Sequence, residues 1–266
     1  TVMNMIPEAY VKRGQVSAKG EVKVYGTLKG NYGNKQLPAV SLNIKINDAS
    51  ARYEGLPYGI DSFTADFESY IDLMRRNPSF LNLKILHFEG ADTEILADAK
   101  VEDLLIDPLI TLHTESAVDL DALAKTFPLQ ESVTIRGKLD AGLNLKCRLS
   151  SLKKQDLGRI KLAGRLALKD FELKDTAKDF NFLGDADLKF SDSETLQAEL
   201  EIREIILKSK RISSEIDRMK AKVVSTNPQD TTKIVTLQCE LEMNKLRANV
   251  GDSIKIYSGK TAGTGK

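Results

Sequence analysis

Two histidines, two cysteines and a few closely spaced carboxylates are the residues of this chain whose types could do chemistry. An imidazole beside a carboxylate can act as a general base, a thiolate as a nucleophile or soft metal ligand, and two carboxylates on one face as an acid and base pair. His87 lies in Leu86-His87-Phe88 and His113 in Leu112-His113-Thr114, far apart in sequence and each inside a strand-like run, so both read as ordinary strand histidines. Cys147 and Cys239 fall on the apolar side of alternating segments, where a thiol behaves as a small hydrophobe. A bridge between them requires neighbouring strands in an oxidising compartment, and that alternative stays open. Asp119/Asp121 and Asp185/Asp187 are spaced by two, which on a strand places both members of a pair on one solvated face.

Longer motifs add nothing catalytic. Gly259-Lys260-Thr261 imitates the end of a phosphate-binding loop, but Ile254 stands where the first glycine belongs and too little chain follows for the helix that the loop must open. Gly-x-Ser-x-Gly and Gly-x-Gly-x-x-Gly are absent. Zinc-site spacings cannot be assembled from two histidines and two cysteines. The expectation is therefore a protein that is not an enzyme, with no catalytic residue, no metal ligand set and no cofactor.

The elements that position these residues are announced by period two. From Val133 to Leu149 the odd positions are Val, Ile, Gly, Leu, Ala, Leu, Leu, Cys and Leu, and the even ones are mostly charged or polar. Such a pattern predicts either one unusually long strand or two collinear strands bent at Gly142. The alternation recurs through Ile160, Leu162, Leu166 and Leu168, then Ala186 to Phe190, Leu196 to Ile202, and Val235 to Met243, with Val22 to Leu28 and Val40 to Ile46 nearer the start. One apolar and one charged edge per strand argues for antiparallel sheet rather than βαβ units, since parallel sheets buried on both faces read as continuous apolar runs. Turn-forming clusters at 30–34, 150–156 and 227–230 separate the strands, giving a meander.

Asp119 caps an expected short helix near 119–127 that ends before Pro128, Ser213 to Met219 fits helix or strand, and Asp66 to Asn77 is equally ambiguous. The order strand, short strand, turn, strand in Leu42 to Phe67 is repeated in Leu166 to Phe190. The fold class expected is mainly β, with long antiparallel strands in an elongated, curved sheet or groove of repeated β units and one or two short helices. The division expected is an N-terminal β unit over 1–130, a C-terminal unit of long strands over 131–258 packed on it, and a disordered tail over 259–266. From periodicity alone, a filled sandwich core is favoured over an open groove as the fate of the apolar face.

Charge narrows the function. Lys and Arg number 39 against 38 Asp and Glu, with signs alternating along the chain, so no nucleic-acid footprint is present. No run of 18 apolar residues offers a membrane span. The start at Thr1 and the polar end suggest a piece of a longer protein whose anchor lies elsewhere.

An ordered series of short signatures between Val40 and Val250 resembles the AsmA family of envelope proteins, in its Bacteroidetes, AsmA/TamB-like form. These are Ala51-Arg52-Tyr53-Glu54-Gly55-Leu56-Pro57, the strand Ile60 to Phe67, Arg76-Asn77-Pro78, Leu83 to Gly90, Ile95 to Leu105, and Asp107-Pro108 ahead of Ile110 and Leu112. Val118-Asp119-Leu120, Phe127-Pro128-Leu129, Gly137-Lys138-Leu139 and Gly164-Arg165-Leu166 follow in the family's order. The glycine usual after Asn-Pro is replaced by Ser79, and the family's membrane helix ahead of this region is not in the chain. The resemblance implies a periplasmic protein anchored to the inner membrane and involved in outer-membrane biogenesis. It further implies a phospholipid or other acyl-chain ligand in a hydrophobic β groove, outer-membrane or other envelope proteins as further partners, and no catalytic residues. The lining expected from the apolar face is Leu139, Leu143, Leu145, Ile160, Leu162, Leu166, Leu168, Leu200, Ile202, Leu237 and Leu241. The rival expectation is an assembly scaffold with a closed β-sandwich core that works through edge-strand contacts. A hydrolase reading lacks the residues it would need.

Overall fold

Apolar and charged residues that alternate strictly can satisfy both water and neighbouring strands only as pleated sheet, and almost every alternating segment is strand. The computed structural model describes residues 16–31, 33, 37–74, 79–126, 129–154, 156, 159–192, 196–210, 212–225, 236–251 and 254–265. The elements are β1 (Val16–Lys29), β2 (Ala39–Tyr53), β3 (Ile60–Ile71), β4 (Phe80–Gly90), β5 (Thr93–Glu102), β6 (Leu109–Asp119), α1 (Leu120–Thr126), β7 (Val133–Arg148), α2 (Leu149–Lys153), β8 (Lys161–Asp175), β9 (Phe180–Asp192), β10 (Leu196–Lys208), β11 (Ile212–Ser225), β12 (Leu237–Val250), β13 (Ile254–Ser258) and β14 (Thr261–Gly265). The signatures at 76–78 and 127–128, Val235 and the turn at 227–230 lie outside the described residues.

All strands belong to one antiparallel sheet of 14 strands in sequence order, β1 to β13, which does not close on itself. β14 pairs with β12 beside β13, so the last two strands form a single outer column: Leu246 to Val250 meet β13, and Cys239 to Met243 meet β14. At about 4.8 Å per strand the sheet extends roughly 60 Å across its strands.

Of the two alternatives for Val133 to Leu149, the single long strand is the one observed: β7 runs unbroken through Gly142 for 16 residues. Two expectations are corrected. The tail from Gly259 is not disordered through its described part, because Thr261–Gly265 is strand. The sandwich core does not form among the described residues: each strand from β1 to β13 pairs with the next in sequence, in one sheet that does not close. Accordingly, the buried hydrophobic residues are all small, namely Ala65, Ala91, Ala122, Cys147 and Ala167. The two-unit division has no break in pairing at its boundary, since β6 and β7 are in register from Leu109↔Arg148 to Asp119↔Lys138.

The helices are local. The Asp119 Oδ1 accepts a hydrogen bond from the Ala122 N–H at 3.0 Å, capping α1 as its sequence suggests. The α2 turn, read above as a loop, is fixed from a distance. Asp107 accepts hydrogen bonds from the Ser150 N–H and Oγ at 3.0 and 2.7 Å, and Arg148 donates to the Asp107 carbonyl at 2.7 Å. These bonds to Ser150 hold the Asp107 carboxyl below its usual range. Ser213 to Met219 lies in β11, and of Asp66 to Asn77 the part to Ile71 is strand in β3, while residues 75–77 lie outside the described residues.

Regular alternation fails within several strands, and bulges repair it. The apolar positions change parity between Ile46 and Ala49 in β2, Leu168 and Phe171 in β8, Ile202 and Ile205 in β10, and Met243 and Leu246 in β12. In each interval one residue takes a left-handed conformation: Asp48 (φ 43), Asp170 (φ 50), Glu204 (φ 51) and Lys245 (φ 43). In β2, β8 and β10 a register shift against a neighbouring strand marks an extra residue that restores the apolar side chains to the original face, whereas β12 stays in register with β11 across Lys245. The bulge amides find partners next door, with the Asp48 N–H donating to Thr64 Oγ1 at 3.3 Å and the Asp170 N–H to Asp185 Oδ1 at 2.7 Å.

Gly164 is required by close strand approach. Its φ is +132°, and a Cβ there would lie 2.0 Å from the Gly142 carbonyl oxygen, whereas a Cβ at Gly142 would meet nothing within 4 Å. Gly164→Ala is expected to destabilise the protein by about 2 kcal/mol or more, with Gly142→Ala near neutral. Thermal unfolding of both variants checks this; equal melting temperatures would refute it.

Candidate functional site: a one-sided apolar sheet

Directly opposed residues on antiparallel strands project to the same side, so the pairings define two faces. One row runs Ser116, Ala141, Leu166, Leu188, Leu200, Ala221, Leu241, Gly263 from β6 to β14. The next runs Val118, Leu139, Leu168, Ala186, Ile202, Met219, Met243, Thr261. Leu145 pairs with Leu162, Leu143 with Gly164, and Leu237 with Ser225, which completes the same face. Ten of the eleven lining residues named from sequence are thus strand residues on one side of the sheet, while Ile160 sits just before β8. They are half-buried in the middle of the sheet, and Leu237 and Leu241 near the outer column are 38% and 45% exposed. No large apolar side chain on this face is fully buried among the described residues.

The opposite face is ionic. Glu199, Lys222 and Glu240 form one cross-strand row, and Asp187, Glu201, Lys220 and Glu242 form the row beside it. From β10 to β12 the signs alternate, so Lys222 and Lys220 each lie between two glutamates, whereas Asp187 and Glu201 on β9 and β10 are like charges directly opposed. Lys222 Nζ is 3.1 Å from Glu199, and Lys169 Nζ is 2.9 Å from Asp140. The rows frame a concavity of about 560 Å³ that reaches Ala262 and Thr264 of β14. A smaller one of about 380 Å³ is lined by Glu94, Glu115, Asp140 and Arg165. Both are framed mainly by charged residues, but Leu200, Ala221 and Leu241 of the leucine row also line the first and Ala141 the second.

The two aspartates of the 185/187 pair are put to separate uses. Asp185 caps the β8 bulge, and Asp187 takes a bidentate ion pair from the Arg165 guanidinium, whose Nε lies 3.0 Å from both carboxylate oxygens. Arg165 holds the Asp187 carboxyl below the usual aspartate range. Cys147 and Cys239 are free thiols, on β7 and β12. Five strand spacings separate them, roughly 24 Å, so the bridge left open above cannot form. Cys147 is 2% exposed and burial pushes its thiol up, while Cys239 is exposed.

His113 is held by Asp98, with Nδ1 at 3.2 Å from Oδ1. His87 lies between two carboxylates, its Nε2 3.1 Å from Glu89 and 3.4 Å from Glu94. The sequence reading missed this grouping. His87-x-Glu89 on one strand was a visible signal, but bringing Glu94 opposite Glu89 depends on the turn register. No helix is long and apolar enough to cross a membrane among the described residues. Compared with known proteins, the chain matches no family model, no curated protein and no solved structure.

Two outcomes follow from this geometry. A thiol reagent under native conditions is expected to modify Cys239 rapidly and Cys147 only on unfolding; two fast equivalents would contradict the burial of Cys147. A carboxyl held below its unfolded value stabilises above that value, about pH 3.9 for aspartate, and ceases to do so as pH falls through the folded value. Asp187→Asn is therefore expected to lose less melting temperature than the parent between pH 5 and pH 2, and parallel curves would remove the ion pair from the acid response.

Proposed function

We propose that this chain is the periplasmic part of an AsmA-like envelope protein that holds the acyl chains of phospholipid against the leucine rows of its sheet. The supporting observation is an apolar face running from β6 to β12 in a sheet that does not close and that, among the described residues, carries no second sheet over it. An unpartnered apolar face of this size on a folded chain marks an interaction surface. The smooth Leu, Ile, Ala and Val lining suits flexible acyl chains, each buried methylene contributing about 0.8 kcal/mol. Headgroups then meet water at the strand ends, and no covalent step is needed. The lining residues proposed are those named from sequence, centred on Leu166 and Leu200. The order of AsmA-like signatures supports the placement in the Gram-negative envelope, with an inner-membrane anchor outside this segment and a role in outer-membrane biogenesis.

A second reading is favoured by one feature. β1 is exposed throughout its described side chains, with Val24 at 59% and Leu28 at 71%, and its outer edge has no strand partner among the described residues. Such an edge invites strand addition by an envelope protein or a further segment of the same chain.

Native mass spectrometry with lipid extraction, on protein purified gently from its own envelope, separates the readings. Stoichiometric phospholipid is expected on the parent and at least a tenfold loss on Leu166→Asp, with unchanged circular dichroism. Equal lipid content in the folded variant would sink the acyl-binding proposal. A lipid-free mass with a co-purifying protein lost on a proline substitution in β1 would transfer support to edge pairing.

A further inference from the structure

We infer that His87, Glu89 and Glu94 form a binding site for one divalent first-row transition-metal ion, such as Zn²⁺, at the closed end of the β4–β5 hairpin. The site is built by backbone geometry. Gly90 pairs with Thr93 around a two-residue turn, Ala91 (φ 54) and Asp92 (φ 51), both left-handed as a tight hairpin of this hand requires. That turn fixes Glu89 directly opposite Glu94, and His87 shares the face of Glu89 two residues away. Ala91 is 3% exposed, so the turn is packed.

Two observations then point to a cation. Like charges directly opposed across a pair of strands repel, and among the described residues neither glutamate has a lysine or arginine within ion-pair distance. Their shared neighbour is the His87 Nε2, which is shielded from solvent and makes no hydrogen bond. The ligand atoms of the three side chains lie within 4.8 Å of one another. The separations of 3.1 and 3.4 Å from Nε2 to the two carboxylates match the edges of a tetrahedron. With metal–ligand bonds near 2.0–2.1 Å, those edges are about 3.3 Å. An imidazole with two carboxylates is a borderline donor set that suits Zn²⁺ or Mn²⁺ better than Ca²⁺ or Mg²⁺, which take oxygen alone. Three protein ligands leave the fourth position to water, and Glu94 also lines the 380 Å³ concavity on the charged face, which gives the ion a path in. The bound ion would clip β4 to β5. His113 lacks this grouping: Asp98 holds its Nδ1, and Glu115 is 3.7 Å from its Nε2 on the other side of the ring.

The test is isothermal titration calorimetry of the EDTA-treated, dialysed full chain with ZnCl₂, paired with thermal unfolding with and without the metal. One saturable equivalent per chain is expected, together with a rise in melting temperature. His87→Asn and Glu94→Gln should each weaken binding at least tenfold and abolish the rise, while His113→Asn changes neither. The inference is overturned by heats without a saturable equivalent, by an equal loss in His113→Asn, or by tighter binding of Ca²⁺ that survives His87→Asn. Circular dichroism shows whether each variant is folded, and Glu89→Gln is a second ligand variant should His87→Asn fail to fold.

Discussion

Keeping the leucine rows on one side of a single sheet is a constraint of phase, because a one-residue slip in pairing would send a whole strand's leucines to the charged side. The cross-strand rows through Leu166 and Leu168 show that phase maintained from β6 to β14. The bulges at Asp170 and Glu204, and the left-handed Lys245, sit just beyond the Leu168–Ala186–Ile202–Met219–Met243 row, where the parity of the sequence changes. Aspartate is a suitable residue for such a place, since its short polar side chain tolerates the left-handed conformation. Asp185 and Thr64 then accept the amides that the bulges turn away from the ladder.

With no second layer, stability is distributed differently from a domain with a filled interior. The backbone ladders and cross-strand side-chain pairs carry it, each pair contributing about 0.2–1 kcal/mol. On the ionic face opposite charges meet in rows such as Glu199–Lys222–Glu240, while Lys138↔Lys169, Lys146↔Lys161, Arg203↔Arg218 and Asp187↔Glu201 set like charges opposite one another. Arg165 and Asp187 are the best-formed pair there, with a bidentate geometry that an exposed lysine cannot reproduce. Glu89 and Glu94 are a further like-charge opposition, and among the described residues neither has a lysine or arginine within ion-pair distance.

Much of the strand content was legible from alternation, and Asp119 was legible as a cap because N-capping is a local interaction. The parity change from Leu168 to Phe171 was also visible, yet it takes the pairing of β8 with β9 to show an inserted residue rather than a strand end. Sandwich and single sheet share the same alternation; they differ in how strands connect, and periodicity does not record that. The α2 turn was hidden because its anchor, Asp107, is 43 positions from Ser150. Thr261 to Gly265 lacks any apolar pattern and is strand because β12 offers a free half-edge beside β13. The co-facial leucines were recoverable one strand at a time, whereas the His87 grouping required the turn register.

The strictly sequential strand order has a consequence for how such a chain can change over evolutionary time. From β1 to β13 each strand pairs with its neighbours in sequence, and β14 alone pairs back to β12, so the energy is close to a one-dimensional sum of hairpin interfaces. Duplicating or deleting two consecutive strands leaves the direction of every remaining strand unaltered and reunites an existing edge with an equivalent one. The length of the sheet is therefore a nearly free variable, adjustable in two-strand increments without redesigning an interior, and contacts close in sequence let each increment form quickly on its own neighbours.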